Sequence, residues 1–363
     1  MVSREFISLE SPAARRNTTG FNPCHGVLVH DPSSGSPKAP MIATHYNVDF
    51  SEHYLGPLMV KRGIDFLGWN TRYRGNEAFF VLEHALTDIG IGVCLLRERG
   101  YERVVILRNS GGGSLMGAYQ SQAVEPNIAP AYGGRLPEEV TQLEAADLYI
   151  SLNAHLGRPE VLTVWFAPSV VDESDPFAAD PELDFYQQAL PLDPAFVAWY
   201  REAQVARNRR ITQWGVTELE SSWELGFRDR ALNLYRTWAD PRMVDGTLDP
   251  SDWHLLPGGF EASQLLTGRD RSHQHAAHLA LNVEPRRVPV PRSATPSTDH
   301  DTGSATPVHG RHRRVPKRCG AIFEALGSTS KEKVFFADDH YLADPADACS
   351  DVADRIAAWV SKN

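Results

Sequence analysis

The chain has 363 residues and carries 36 Lys+Arg against 46 Asp+Glu, a formal net charge of −10. That acidic balance speaks against a nucleic-acid partner, whose phosphates need a cationic footprint, and no stretch reaches the roughly 18–20 apolar residues that span a bilayer. A hydrophobic content of 42% is enough to fill one large α/β domain or two ordinary ones. Met1–Glu10 holds no apolar run, so no signal peptide is expected. Cys24, Cys94, Cys319 and Cys349 are far apart, form no metal-ligand spacing, and read as reduced thiols of a cytoplasmic protein.

Residues 1–20 are polar and predict a loose arm. Met41–Thr44, Ile64–Trp69 and Val104–Leu107 are short apolar runs at the spacing of strands. Between the last two, Phe80, Leu82, Leu86, Ile89, Val93 and Leu96 mark one face of a helix that Gly100 ends. Strand, helix, strand with short connections predicts a parallel sheet. Leu115–Ala123 reads as the next helix, and at least one of Leu148–Leu152 and Val161–Phe166 as a strand. From Pro168 to about Gly268 aromatic and charged residues mix without alternation. Asp193 as N-cap and Pro194 at the first helical position open a helix through Phe196, Trp199, Tyr200 and Ile211. The C-terminal region predicts a short helix over Ala321–Leu326, a strand over Val334–Ala337 and a last helix with Val352, Ile356, Trp359 and Val360 on one side. The expected division is a core of residues 21–167 and 320–363, a helical insertion over 168–271, and an irregular segment over 272–319. That last segment holds six His, seven Arg and six Pro without Phe, Tyr, Trp, Ile or Met, too little apolar surface to offset its ordering entropy.

Val104-Val-Ile-Leu-Arg-Asn-Ser110-Gly-Gly-Gly113 carries the chemistry. A β-branched run meets a serine, then three glycines, then a helix. A nucleophile on a sharp strand-to-helix turn needs small neighbours, and the first helical amides then serve as oxyanion donors. A Gly-rich phosphate cradle is the competing reading, although no Walker-type lysine follows. His340 follows the late run Val334–Ala337 and precedes the last helix, where a general base would sit, so the chain order is nucleophile then histidine. Ala43-Thr-His45-Tyr46-Asn47 follows another strand. The Asn47 N–H is a candidate oxyanion donor paired with Gly111 N–H, and His45 is expected to be structural. Trp69–Gly75 reads as a basic surface turn.

With these residues in view, the chain resembles the α/β-hydrolase superfamily, in its serine-nucleophile branch with a helical cap. The resemblance covers roughly residues 25–270 and 320–363. It places His45-Tyr46-Asn47 at the oxyanion loop, Asn70–Gly75 at the turn after the fourth strand, Asn109–Gly112 at the nucleophile elbow, and His340 at the catalytic histidine. It implies an α/β fold with a mostly parallel sheet and the inserted helices as a cap.

Two departures stand out. The elbow pattern expects glycine at 108, and this chain has Arg108. The family also carries an Asp or Glu after a strand between cap and histidine. Here that slot falls in 272–319, where Glu284, Asp299 and Asp301 are the only acids and none follows an apolar run. Asp172, Glu173 and Asp175 are weak substitutes, and Asp338 and Asp339 are too close in sequence to His340 to curl back to its ring.

The segment can be read as the product of a reading-frame slip, against a natural disordered insertion or a basic loop for an acidic partner. Permissible codons for His278–Glu284, read one base later, give T-W-L-S-M-W. Asp301–Val308 gives the apolar T-T-P-A-A-L-L-P, and His309–Cys319 gives T-A-D-T-G-V-F-P-S-D-A, with an Asp in the family's acid position.

The expected function is a serine hydrolase acting on an ester, thioester, lactone or activated amide of a small-molecule acyl substrate, with no metal or organic cofactor. Ser110 is the nucleophile, His340 the base, and Asn47 and Gly111 the oxyanion donors. The alternative is an impaired or non-catalytic protein of the same fold that lacks its triad acid. Trp165, Phe166, Phe177, Phe185, Tyr186, Phe196, Trp199 and Tyr200 point to an apolar substrate or to ordinary packing of the insertion. The gene sequence tests the frame reading: an offset frame without stop codons that encodes an apolar strand supports it, and a frame broken by stops removes it.

Overall fold

The computed structural model describes residues 2–12, 23–34, 39–129, 136–154, 157–175, 177–226, 229–237, 239–245, 247–248, 277–282, 302–306, 308–309, 323, 326, 328, 330–334, 336–337, 342 and 347–363. The strands are β1 (Ser3–Leu9), β2 (Cys24–His30), β3 (Met41–Ala43), β4 (Phe66–Asn70), β5 (Val105–Asn109), β6 (Leu148–Leu152), β7 (Asp229–Leu234), β8 (Ala277–Asn282), β9 (Thr302–Thr306), β10 (Val308–His309), β11 (Glu332–Lys333) and β12 (Phe336–Ala337). The α-helices are α1 (Gly56–Val60), α2 (Leu82–Glu98), α3 (Gly112–Val124), α4 (Arg158–Trp165), α5 (Pro194–Glu224) and α6 (Ala348–Lys362). Among the described residues, no helix is long and apolar enough to cross a membrane.

The chain divides into two compact units, Met1–Leu156 with Val288–Asn363, and Gly157–Arg287. The first unit is built on an 8-stranded sheet in the order β1-β2-β4-β3-β5-β6-β9-β11. Strand β2 is antiparallel to both β1 and β4, and β4, β3, β5, β6, β9 and β11 run parallel. Parallel strands need crossover connections, and α2 and α3 supply two of them.

The inner strands alternate between two buried faces, as the period of two requires. Ile42, Ile106 and Tyr149 pack with Ile89 and Val93 of α2 and Met116 of α3. Met41, Val105, Leu107 and Ile150 pack on the other face with Met59 of α1 and with Val352, Ile356 and Trp359 of α6. The helix expected to carry Leu82, Leu86, Ile89, Val93 and Leu96 on one face is α2, and that stripe covers the sheet, while Phe80 precedes the helix.

Several expectations need correcting. The arm expected over residues 1–20 includes β1, paired along its whole length with β2 from Ser3↔His30 to Leu9↔Cys24. The edge strand β1 carries little sequence signal because it needs only alternate apolar positions: Ile7 is buried while Phe6 is exposed. Val161–Phe166 lies mainly in helix α4, and the strand of that pair is β6. The segment 272–319 is not irregular throughout, because it contributes β8, β9 and β10. Strand β9 runs Leu148↔Thr302 to Leu152↔Thr306 against β6 and pairs with β11 on its other side. The pairing is made by backbone groups, so an apolar run is not a precondition for it. Of the short helix expected over 321–326, only Phe323 and Leu326 are among the described residues.

The second unit begins at α4, before the boundary expected at 168, and includes the antiparallel pair β7 and β8. Asp193 accepts the Ala195 amide at 2.7 Å and caps α5 as its sequence predicts. Arg207 of α5 is fully buried. Its guanidinium donates to Glu173 at 2.7 and 2.8 Å and to the carbonyls of Ala167 and Tyr235. Phe166, Phe185 and Tyr200 are core residues of this unit, so packing accounts for them, whereas Phe177 and Trp199 are exposed.

Of the turn after β4, expected as a basic surface feature, Arg74 and Gly75 are exposed but Arg72 is buried. Arg72 is 8% exposed, and its Nε donates to Asp88 of α2 at 2.9 Å. Asp88 also accepts the Arg72 amide at 3.0 Å, and its carbonyl accepts the Trp69 indole at 2.8 Å. Removing one partner of such a pair leaves an uncompensated buried charge. Asp88→Ala is expected to lower unfolding stability by about 3–5 kcal/mol, read from the urea midpoint.

Candidate active site

The C-terminal ends of β3 and β5 lie side by side in the sheet, with Ala43 opposite Leu107. Residues that follow both strands therefore meet at one edge. Ser110 stands between β5 and α3 with φ 51, a left-handed conformation that a non-glycine residue adopts only where the surroundings enforce it. The Gly113 amide donates back to the Ser110 carbonyl at 3.0 Å and closes the turn. Gly111 then caps α3, whose positive end faces the serine.

The glycines after Ser110 are dictated by the loop that follows β3. A Cβ on Gly112 would collide with the Thr44 carbonyl, and a Cβ on Gly111 would stand 2.6 Å from Nε2 of His45. The His45 ring occupies the space a side chain at 111 would fill. Its Nδ1 accepts the amides of Val48 at 3.1 Å and Asn47 at 3.3 Å. The Asn47 N–H, expected to point at an oxyanion, is directed at this ring in the structure.

The loop is tied down at further points. Asn70 at the end of β4 accepts the Phe50 amide at 3.0 Å and donates to Asp49 at 2.7 Å. The Tyr46 hydroxyl meets Ser114 Oγ of α3 at 3.1 Å. Phe50 packs on the His45 ring with centroids 5.2 Å apart.

Arg108 is accommodated in an unexpected way. Its Nε donates to the Gly113 carbonyl, its guanidinium lies 5.1 Å from the Tyr149 ring centroid, and a Cβ on Gly117 would stand 2.9 Å from its Cζ. The long side chain therefore lies along α3, in room left by Gly117, and the elbow keeps its turn without glycine at 108.

Asn109, just before the serine, is buried. It donates to the Leu152 carbonyl at 3.0 Å, so it joins the ends of β5 and β6, and its Oδ1 meets His53 Nε2 at 3.2 Å. His53 Nδ1 accepts the Leu55 amide at 3.2 Å, so the proton sits on Nε2 and is donated to Asn109. The ring stacks on Tyr54 and Phe66 with centroids 4.4 and 5.2 Å apart. Burial pushes its pKa down from 6.5 to about 4, against the raising effect of the Asn109 hydrogen bond. His53 belongs to no motif, and the aromatic density of its loop was the only sequence signal for it. Past Leu152, which is level with Asn109, the buried Asn153 also has a left-handed backbone, φ 48.

His340, Asp338 and Asp339 lie outside the described residues, as do Glu284, Asp299 and Asp301. The weak substitutes for the acid are engaged within the second unit: Glu173 by Arg207, Asp172 by Ser174 and Asp175 by the Phe177 amide. Among the described residues, no three His, Cys, Asp or Glu side chains are grouped to hold a metal ion.

No family model and no curated protein matches the chain. Among solved structures, a complex of DcsB with its substrate analogue matches with TM-score 0.51 at 10% identity, over 99% of each chain. The α/β hydrolase GrgF from Penicillium sp. sh18 matches with TM-score 0.49 at 12% identity, over 99% of this chain and 98% of that one. A dienelactone hydrolase from Anabaena variabilis ATCC 29413 matches with TM-score 0.43 at 10% identity, over 99% and 98%. The chain has the α/β-hydrolase fold. In the α/β-hydrolase sheet of this chain β9 holds the place after β6, and the residues that follow it, from Pro307 to Cys319, include no Asp or Glu. A strand that was not expected is therefore present in 272–319, with no carboxylate in the stretch that follows it.

The buried imidazole generates a pH prediction. Between pH 6.5 and about 4 the unfolded chain binds a proton that folded His53 refuses, so stability falls as the pH drops. The contribution is about 1.4 kcal/mol per pH unit, fully present above the upper value and lost below the lower. Urea midpoints of wild type and His53→Gln measured from pH 7 to 4 are expected to converge as the pH falls.

Proposed function

We propose that the chain is a serine hydrolase that cleaves a small-molecule ester, thioester, lactone or activated amide through an acyl-enzyme. The observation that carries this reading is the left-handed Ser110 at the junction of β5 and α3, with its glycines packed under the loop after β3. Such a turn holds a hydroxyl above the sheet and beside the first amides of a helix.

Ser110 Oγ adds to the carbonyl carbon and its proton passes to His340. The carbonyl electron pair moves to oxygen, where the Gly111 N–H and the α3 N-terminus stabilise it. Collapse expels the leaving group, which takes the proton from His340, and water repeats the sequence to release the acid. The Asn47 amide would have to leave His45 Nδ1 to take part. The inserted unit Gly157–Arg287 is read as the cap on its place in the chain alone.

The second reading, an impaired enzyme, is favoured by the absence of any Asp or Glu from Pro307 to Cys319. Without a carboxylate the histidine loses the group that fixes its tautomer and stabilises its cation, a loss of about 10⁴-fold in turnover in a serine protease.

A fluorophosphonate probe separates these readings. Labelling of Ser110 that disappears in Ser110→Ala, and weakens strongly in His340→Ala, is the expected result. Labelling with very slow ester turnover gives the impaired enzyme, and folded protein that takes no label removes the serine reading.

A further inference from the structure

The ring of His45 has a donor beside the nucleophile that the proposed mechanism does not use. Its Nδ1 accepts two backbone amides, from Val48 and Asn47. A ring nitrogen that accepts carries no hydrogen, so the neutral imidazole has its proton on Nε2. That same Nε2 faces Gly111, 2.6 Å from where a Cβ would stand, with Cε1 at 3.0 Å and Cδ2 at 3.5 Å. Gly111 directly follows Ser110, and its amide is the proposed oxyanion donor. The edge of the ring that holds the proton is therefore the edge turned toward Gly111, on the side where its Cβ would stand.

The geometry points to His45 as the second oxyanion donor, through Nε2–H, in the role expected of the Asn47 amide. This rests on the serine reading of Ser110. When Ser110 Oγ bonds to the carbonyl carbon and the electron pair shifts to oxygen, the oxyanion accepts from Gly111 N–H and His45 Nε2–H. His45 keeps its proton throughout. It is unsuited to be the base, because the nitrogen nearest the elbow is already protonated, and His340 retains that task.

The surroundings hold the ring for this purpose. Phe50 packs against it and is anchored by Asn70 through the Phe50 amide. Tyr46 meets its edge with centroids 6.4 Å apart and is fixed to Ser114 of α3. The amides of Asn47 and Val48 set the tautomer, so these residues act through the ring rather than on the substrate. A donor held in place before the charge develops needs no reorganisation when it does.

The test uses the full chain with p-nitrophenyl butyrate and a fluorophosphonate probe, on wild type, His45→Leu, His45→Gln and His45→Asn. His45→Leu is expected to lower kcat by about 10²-fold or more, with KM little changed and Ser110 labelled more slowly. His45→Gln, whose amide can reach the Nε2 position, recovers part of the rate, and the shorter His45→Asn does not. A folded His45→Leu with wild-type kcat overturns the proposal. If that variant does not fold, equal kcat for His45→Gln and His45→Asn overturns it instead. Wild type that takes no label at Ser110 removes the serine reading and this proposal with it, whereas labelled wild type with an unaffected His45→Leu removes only the proposal.

Discussion

Two Cα atoms without side chains let the loop after β3 lie directly on the first turn of α3. Gly112 meets the Thr44 carbonyl, and Gly111 meets the His45 ring. Everything placed at the sheet edge depends on this approach. It sets where the serine turn sits, which ring faces it, and how far the loop can move. The second anchor comes from the neighbouring strand, where Asn70 binds both Phe50 and Asp49. The loop is thus held between the ends of β4 and β5 by contacts that do not involve a substrate. A site arranged this way is organised before anything binds, which is what electrostatic stabilisation requires.

Beneath the edge, the same economy of space continues. His53 and Asn109 form a buried polar pair that is fully directional: Leu55 donates to one ring nitrogen, and the other donates to Asn109. Asn109 passes the constraint to β6 through the Leu152 carbonyl. Burial keeps the imidazole neutral, so the network next to Ser110 carries no charge that would need compensation. The Arg72–Asp88 pair does similar work at the root of β4, tying the turn after that strand to the helix behind it.

The sequence makes the serine turn legible because its chemistry is local. A β-branched run, a serine and consecutive glycines over Val104–Gly113 leave few alternatives. The helix α2 is legible for the same reason, since a single face of apolar residues defines it. What escapes is whatever depends on partners distant in the chain. Strand β9, Thr302–Thr306, has no apolar signature and owes its place to the backbone of β6. Strand β1 owes its place at the sheet edge to β2, which in turn pairs with β4. The residues of α4 look like a strand when counted by hydropathy, yet Gly157 and Pro159 begin a helix there. Arg72 reads as surface because its partner, Asp88, lies 16 positions away on another element. His53 belongs to no motif, and only the fold brings it to Asn109.

Arg108 and Gly117 lie on opposite sides of the elbow in sequence but fill one volume. The guanidinium lies over Tyr149 and occupies the space a residue at 117 would otherwise claim. The two positions therefore amount to a single choice about which element supplies the bulk. A lineage that placed glycine at 108 would be free to enlarge 117. One that keeps arginine must leave α3 bare at that turn, and drift at either site is bound to its counterpart.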